Sequence, residues 1–391
     1  MHVLSMKRRL SKGVTMTFQD MDINPSIIKA IDHKGYVNPT PVQEKAIPTI
    51  ISGRDVLGCA QTGTGKTAAF AIPILQMAAN YVNNSIPNNK IKALVLAPTR
   101  ELAIQIGESF ESYGKFLDVR IGVVFGGITP KRHIKVLKKE PHILVATPGR
   151  LLDLIGKGYA DLSEVSIFVL DEADQMLDAR TRDNVKEIIK LLPDKRQNTL
   201  FSATMPKEVI KLTNTILENP IKIDIKSSNN RGADIHQIVM YVEEPDKTSM
   251  LLKLLKANDY ESVLIFVRTK KKADKVCKAI NIQNIRTKAI HGDKSQSERL
   301  KALELFKNKE IKILVATDVA ARGIDIFNIS LVVNMDIPRV SETFVHRIGR
   351  TGRAGKSGMA ISFCSKEEKD ALGKIEQILG KTINVMNADS I

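Results

Sequence analysis

Apolar residues fall into two alternating patterns along the chain. Short unbroken runs occupy residues 55–59, 93–97, 123–125, 142–146, 167–170 and 199–201, and stretches with apolar positions every three or four residues follow several of them. Runs of four or five apolar residues bounded by polar clusters read as buried strands, and the three-to-four spacing reads as helices with one buried face. This alternation predicts an α/β fold with a mostly parallel sheet flanked by helices. Ahead of the first strand, Asn24-Pro25 opens a helix through Ile27, Ile28 and Ile31, which Gly35-Tyr36 ends. Pro39-Thr40-Pro41-Val42-Gln43 then leads a second helix into Ile50. Polar clusters stand at the strand C-terminal ends, where open α/β sheets bind ligands.

The pattern occurs twice. Ile143-Leu144-Val145-Ala146-Thr147 returns as Ile313-Leu314-Val315-Ala316-Thr317, and the strand before Thr99-Arg100 returns before Thr269-Lys270, both at an offset of 170 residues. Two matches at one offset indicate a duplicated α/β unit. Residues 226–232 are polar and aperiodic and read as a linker. The predicted organisation is a basic arm at 1–15, a first unit at 16–226, a linker at 227–232 and a second unit at 233–391. Near the end, 359–364 reads as a strand and 371–379 as a helix.

Only the first copy carries Ala60-Gln61-Thr62-Gly63-Thr64-Gly65-Lys66-Thr67. A Gly-rich loop between strand and helix turns backbone N–H groups onto a phosphate chain, and the helix N-terminus adds partial positive charge. In that pattern Lys66 reaches the β- and γ-phosphates and the Thr67 hydroxyl takes a place on Mg²⁺. Ala60 stands where the usual pattern begins with Gly. Asp171-Glu172 ends a strand of the same unit: Asp171 suits Mg²⁺, and Glu172 suits the polarising of a water that attacks the γ-phosphate. The Gln43 amide donates and accepts at once, which suits an adenine edge, with Phe18 or Tyr36 packed on the base. In the second copy, Arg347, Arg350 and Arg353 are spaced three apart with glycines between them, the arrangement of cations that face a transferring phosphoryl group. One unit therefore holds the triphosphate and the other faces it.

Net charge is +16 at pH 7, shared evenly between residues 1–230 and 231–391, which suits a nucleic-acid partner. Aromatic content is 5% with no Trp, against an aromatic stacking platform. The three cysteines are far apart, so no disulfide framework is expected and a reducing, cytoplasmic home fits. No apolar run approaches the ~20 residues of a membrane span.

Together these motifs resemble those of the DEAD-box ATP-dependent RNA helicases, over nearly all of residues 18–353. The resemblance rests on Phe18 with Gly35-Tyr36, Pro39-Thr40 and Gln43; on the phosphate loop, including Ala at its first place; on Pro98-Thr99-Arg100-Glu101-Leu102-Ala103, Gly126-Gly127 and Thr147-Pro148-Gly149-Arg150; and on Asp171-Glu172-Ala173-Asp174 and Ser202-Ala203-Thr204. In the second half it rests on Phe266-Val267-Arg268-Thr269, His291-Gly292-Asp293, Gln296 with Arg299, Ala316-Thr317-Asp318, Arg322-Gly323-Ile324-Asp325 and His346–Arg353.

The family resemblance implies two tandem RecA-like domains with the active site in the cleft between them. It implies ATP and Mg²⁺ as cofactors, with Lys66, Asp171, Glu172, Arg350 and Arg353 catalytic and Thr67 and Asp171 holding the metal. Nucleotide contacts fall to Phe18, Tyr36, Gln43, Gln61, Thr62, Gly63, Thr64, Gly65, Lys66, Thr67, Asp325, Arg350 and Arg353. RNA contacts fall to Pro98, Thr99, Arg100, Gly126, Gly127, Thr147, Pro148, Gly149, Arg150, Arg268, Gln296, Arg299 and Thr317. Ser202, Thr204, Asp174, His346 and Arg347 are implied to couple hydrolysis to unwinding, with Arg347 tying the two halves together. The expected partner is RNA with little sequence preference, acted on by a monomer, locally and without long translocation. Ribonucleoprotein or RNA-decay partners are compatible with this.

Three rivals are weighed against this reading. A DNA translocase differs in which nucleic acid stimulates its ATPase. An annealer with a dead ATPase conflicts with intact Lys66, Glu172 and Arg350. A P-loop kinase conflicts with the duplicated, arginine-rich second half. The first fifteen residues hold four basic residues and no acid, and read as a dispensable arm, a short transit-like segment or a leader before a start at Met16. The sequence after residue 379 names no RNA target, so ribosome assembly, RNA decay and cold adaptation stay equally open.

Overall fold

The apolar runs form strands because both of their faces are covered. In the first unit these are β1 (Val56–Cys59), β2 (Ala93–Leu96), β3 (Ile121–Val124), β4 (Ile143–Ala146), β5 (Ile167–Leu170), β6 (Gln197–Ser202) and β7 (Ile221–Asp224). Along β2, β4 and β5, Ala93, Val95, Ile143, Val145, Ile167 and Val169 enter one buried cluster, and Leu94, Leu96, Leu144, Ala146, Phe168 and Leu170 enter another. The side-chain period of two sends alternate residues to opposite faces, so a sheet with helices on both sides demands continuous apolar strands. All neighbouring strands pair in parallel, in the order β3-β4-β2-β5-β6-β1-β7.

The computed structural model describes residues 16–60, 63–83, 90–177, 181–224, 235–321, 329–352 and 357–387. Contacts divide the chain into two compact units, 1–226 and 227–391. The arm at 1–15, Gln61, Thr62, the linker at 227–232, Asp325 and Arg353 lie outside the described residues.

The second unit repeats the first strand for strand. It contains β8 (Ile235–Tyr241), β9 (Val263–Val267), β10 (Thr287–Ile290), β11 (Ile313–Thr317), β12 (Leu331–Asn334), β13 (Gly358–Cys364) and β14 (Asn384–Val385). They are also all parallel, in the order β10-β11-β9-β12-β13-β8-β14, the first sheet's order with seven added to each label. The repeat reaches single atoms. Thr99 Oγ1 caps the helix Arg100–Tyr113 by accepting from Leu102 N–H at 3.3 Å, and Thr269 Oγ1 caps Lys270–Ile282 by accepting from Lys272 N–H at 3.1 Å. The copies diverge after the strands β1 and β8. The first continues into the Gly-rich loop, whereas β8 continues into Val242-Glu243-Glu244-Pro245-Asp246, an acidic turn that suits no phosphate.

Local caps set the helix starts as the sequence predicts. Pro25–His33 begins with Pro at N1 and the Asn24 side chain accepting from Ser26 N–H, and Pro41–Ile51 again begins with Pro. At the foot of the first sheet, Asp55 accepts from Asn198 N–H at 2.7 Å and Glu218 N–H at 2.8 Å, which fastens the start of β1 beside its two neighbours. Among the described residues, no helix is long and apolar enough to cross a membrane.

Strand β1 aims the Gly-rich loop, and its packing leaves no slack. Gly58 pairs with Phe201 across β6, and a Cβ at Gly58 would lie 2.3 Å from the Phe201 ring. Gly58→Ala is therefore expected to destabilise the first unit by about 1–3 kcal/mol, measured by urea unfolding. A second change, Phe201→Leu, should recover part of the loss. Unchanged stability in Gly58→Ala would contradict this packing.

Candidate nucleotide and RNA site

The described motif residues of the first unit converge at the C-terminal edge of its sheet. Gly63 and Gly65 adopt φ of +84° and +90°, which L side chains rarely take, and Lys66 opens the helix Lys66–Asn83. Gln43 braces this loop: its amide oxygen accepts from Thr40 N–H at 2.9 Å, and its nitrogen donates to the Gly65 carbonyl at 3.1 Å. A Cβ at Gly65 would sit 2.4 Å from that nitrogen, so this glycine is also fixed by close approach. Phe18 is 3% exposed and belongs to the core, whereas Tyr36 is 49% exposed. Of the two aromatics expected to meet a base, Tyr36 is the one with an open ring, and Phe18 pins its turn to the body.

Three charged side chains are buried together behind the loop. Lys66 is 5% exposed, and its Nζ has no hydrogen-bond partner among the described residues; the same holds for Glu172 Oε2. Asp171 is buried beside them. Burial pushes its carboxyl up to about 6; the Lys66 charge pulls it down, and Glu172 pushes it further up. Glu172 takes φ of +53°, a left-handed conformation that costs a non-glycine residue on the order of 1 kcal/mol or more and is commonest at functional sites. A buried ammonium and a carboxylate oxygen without hydrogen-bond partners among the described residues fit a ligand that brings both anionic oxygens and a cation, as a magnesium triphosphate does. Among the described residues no cluster of three or more His, Cys, Asp or Glu could hold a metal by itself. Mg²⁺ usually keeps waters and phosphate oxygens beside one or two carboxylates, and Thr67 and Asp171 match that share.

Asp174 and the β6 end form a closed link. Asp174 Oδ2 accepts from Thr204 N–H at 2.9 Å and Thr204 Oγ1 at 2.8 Å, and Ser202 Oγ accepts from Asp174 N–H at 3.3 Å while donating to the Thr204 carbonyl at 2.6 Å. The link joins the helix that begins after Glu172 to the loop after β6, so movement of either is felt by the other.

A second cluster lies at the ends of β2, β3 and β4. The Arg100 guanidinium lies against Gly126-Gly127, where a Cβ on Gly127 would fall 1.8 Å from Nη1; Gly127 also has φ of +85°. Gly126 N–H donates to Thr147 Oγ1 at 3.3 Å. Pro148 opens the helix Pro148–Gly156, with Gly149 and Arg150 in its first turn. Arg150 is engaged inward. Nη1 and Nη2 each donate to the Ile128 carbonyl at 3.0 Å, and Nη1 lies 2.8 Å from His133 Nδ1. Arg150 therefore braces the loop 126–129.

His133, absent from the sequence reading, completes this brace. Its Nε2 faces Phe125 N–H at 3.3 Å, its Nδ1 faces Arg150, and its ring packs edge-on against Phe125. Both ring nitrogens meet donors, which excludes the imidazolium; burial and the Arg150 charge lower its pKa to about 4. A lone histidine in a basic helix gives no sequence signal of this role.

The second unit places Arg268 after β9, Gln296 and Arg299 at the start of the helix Gln296–Lys307, and Thr317 at the end of β11. Arg268 Nη2 donates to the Ile337 carbonyl at 3.1 Å and pairs with Glu368. Arg347, expected to tie the two halves together, makes its described bonds within the second unit. Arg347 is 2% exposed, and its guanidinium is bound inside the second unit. Nε and Nη2 donate to Asp318, the latter at 2.8 Å; Nη1 donates to Asn334 Oδ1 at 3.1 Å and the Asp336 carbonyl at 2.7 Å. Its fork matches a carboxylate and two carbonyl oxygens that no other partner need supply. Arg350 follows on a buried turn whose carbonyl accepts from Ile329 N–H, and His346 is half-buried in the last turn of the helix Ser341–Ile348.

His133 makes the first unit acid-sensitive in a defined window. Its folded pKa, about 4, lies below the ordinary 6.5, so the unfolded chain binds the proton first as pH falls. Stability is complete above pH 6.5 and is lost toward pH 4, by on the order of 1–3 kcal/mol. His133→Gln should remove this contribution from the urea-unfolding pH profile, leaving that of His142, whose pKa burial also lowers, and that of Asp171, whose raised carboxyl acts with the opposite sign. Identical profiles would contradict the buried neutral ring.

Comparison with known proteins agrees with this geometry. The family model described as "DEAD/DEAH box helicase" matches residues 40–212, and "Helicase conserved C-terminal domain" matches 246–355. The DEAD-box ATP-dependent RNA helicase CshA of Bacillus licheniformis is 42% identical over 378 residues, 97% of this chain and 76% of that protein. The DEAD-box ATP-dependent RNA helicase RhpA of Helicobacter pylori is 41% identical over 375 residues, 96% of this chain and 75% of that protein. Among solved structures, S. cerevisiae Dbp5 bound to RNA and ADP BeF3 superposes with a TM-score of 0.84 at 31% identity, covering 96% of each chain. Mss116p bound to ssRNA and AMP-PNP gives 0.85 at 30% identity, covering 96% of this chain and 80% of that one. With both family models matched in order along the chain and close relatives aligned over nearly its full length, the chain belongs to the DEAD-box family of ATP-dependent RNA helicases.

Proposed function

We propose that ATP binds the first unit with its phosphates on the backbone of residues 63–65 and on Lys66, and with Thr67 and Asp171 holding Mg²⁺. The ion, when bound, neutralises charge on the phosphate oxygens and orients them. Gln43 keeps one N–H and one lone pair beyond its two backbone bonds, enough for an adenine edge, with Tyr36 beside the base. Glu172 takes the proton side of the attacking water, and Arg350 and Arg353 of the second unit stabilise the charge on the transferring phosphoryl group. Buried Lys66 Nζ and Glu172 Oε2, without hydrogen-bond partners among the described residues, carry this reading.

RNA lies on the first unit along Thr99, Arg100, Gly126, Gly127 and the turn 147–149, and on the second unit along Arg268, Gln296, Arg299 and Thr317. Arg150 contributes by holding the loop 126–129 in shape. Contacts of this kind address sugar and phosphate and give little sequence preference. Nucleotide and RNA each favour one closed arrangement of the two units, so each raises the affinity of the other by the same factor. Hydrolysis removes the γ-phosphate that both units grip, and the Asp174–Thr204–Ser202 link carries that change to the loop after β6. The enzyme thus separates short duplexes locally, or strips proteins from RNA, as a cytoplasmic monomer.

Glu172→Gln is expected to lower RNA-stimulated ATP hydrolysis about 100-fold or more while keeping ATP-dependent RNA binding. Steady-state ATPase assays and fluorescent-RNA titrations measure the two. Equal ATPase rates in variant and parent would contradict the role.

A further inference from the structure

The helix Pro130–Leu137 begins directly after the loop 126–129 and has two unlike faces. His133 and Leu137 are buried, and His133 is latched to Arg150 and to Phe125. The other face carries Lys131, Arg132, Lys135, Lys138 and Lys139, all exposed. Their spacing of i, i+1, i+4, i+7 and i+8 puts all five on one side of the helix and its last turn. None of the five has an ion-pair partner among the described residues, and no acid stands between Asp118 and Glu140. Other lysines of the same unit do meet carboxylates: Lys157 pairs with Asp153 at 2.6 Å and Lys92 with Glu164 at 3.0 Å. Five unopposed cations on one short face repel one another and persist most readily where an anion offsets them.

We propose that this stripe is a second RNA-contact surface of the first unit. It takes the sugar-phosphate backbone of an RNA strand that continues past the loop 126–129. At 1.5 Å per residue the stripe is about 12 Å long, enough for two or three consecutive phosphates. The same loop that touches Arg100 is the N-terminal lead-in of this helix, and the Arg150–His133 latch fixes the helix against it, so the cations stand at a set position beside the first contact surface. Flexible lysines read charge and not base edges, so the stripe lengthens the footprint and raises affinity without adding sequence preference. RNA is favoured over an acidic protein because the stripe is continuous with that loop and has no apolar centre on which a protein partner could anchor. The inference rests on the helicase reading above.

The test uses the full chain carrying Lys131→Gln, Lys135→Gln and Lys138→Gln together, since Gln keeps helix propensity close to that of Lys. A control carries Lys207→Gln, Lys211→Gln and Lys222→Gln, three exposed lysines elsewhere on the same unit. Equilibrium binding of fluorescent single-stranded RNA, short and long, is measured with a non-hydrolysable ATP analogue over a range of salt. For long RNA the stripe variant should bind about tenfold more weakly, with a salt slope reduced by about 2, roughly 0.7 for each lost phosphate contact. The shift should be smaller for short RNA, and the RNA-saturated ATPase rate should stay within about twofold of the parent, since no stripe residue touches the phosphate loop. Equal shifts in stripe and control variants would reduce the effect to net charge and overturn the proposal. No shift in either would make the stripe an ordinary solvated face and overturn it equally. If the parent ATPase is not stimulated by RNA, the helicase reading fails; the binding titrations still decide whether the stripe contacts RNA.

Discussion

The first unit is built to keep an ammonium and two carboxylates out of water at the C-terminal edge of its sheet. Burying charge costs several kcal/mol for each ion unless partners compensate. Here the compensation is incomplete: Lys66 Nζ and Glu172 Oε2 lack hydrogen-bond partners among the described residues, and burial holds the Asp171 carboxyl above its ordinary range. The surrounding structure sustains this arrangement. Gly58 packs on Phe201 behind the loop, Gln43 braces Gly65, and the fully covered sheet fixes where β1 and β5 end. On the proposed reading, a ligand that brings anionic oxygens and a cation offsets this cost, which would link nucleotide binding to local order.

The second recurring device is a bond network that turns one event into another. Asp174 reaches Thr204 from the segment that carries Glu172, and Arg150 reaches Ile128 from the segment that carries Gly149. Both networks consist of short bonds between neighbouring strand ends, the natural meeting place of loops in a parallel sheet. In the second unit the corresponding position is filled differently. Arg347 spends its guanidinium on Asp318, Asn334 and Asp336, and so stiffens the element that presents Arg350. One duplicated scaffold thus carries a Gly-rich loop with buried charges in one copy and a firmly bonded arginine in the other.

Much of this was legible in the sequence, for physical reasons. Central strands such as β2 and β4 are buried on both faces, so their apolar runs stand out, and their counterparts β9 and β11 repeat them at a fixed offset. The repeated Thr99-Arg100 and Thr269-Lys270 mark corresponding points, which the structure shows to be helix caps. Strands β7, β8, β10, β12 and β14 are not singled out in the sequence; for the edge strands β7, β10 and β14 the reason is that one covered face, or a length of two residues, leaves no continuous apolar run. Bond partners were not legible either. Nothing in the string shows that Gln43 is already engaged by Thr40 and Gly65, that Arg150 turns inward to His133, or that Arg347 is consumed within its own unit. Such facts depend on residues far apart in the chain meeting at one sheet edge.

The central claim is that the buried charges await a magnesium nucleotide. Its most direct test is the number of protons exchanged on binding, obtained by titration calorimetry with Mg²⁺ and a non-hydrolysable ATP analogue in buffers of different ionisation enthalpy. Burial holds the Asp171 carboxyl above its ordinary range, so on this account it gives up a proton when the cation binds. The account predicts net proton release on nucleotide binding at pH 6, fading toward pH 8 and missing in Asp171→Asn. The same proton count in Asp171→Asn as in the parent, or none in either at pH 6, would contradict it.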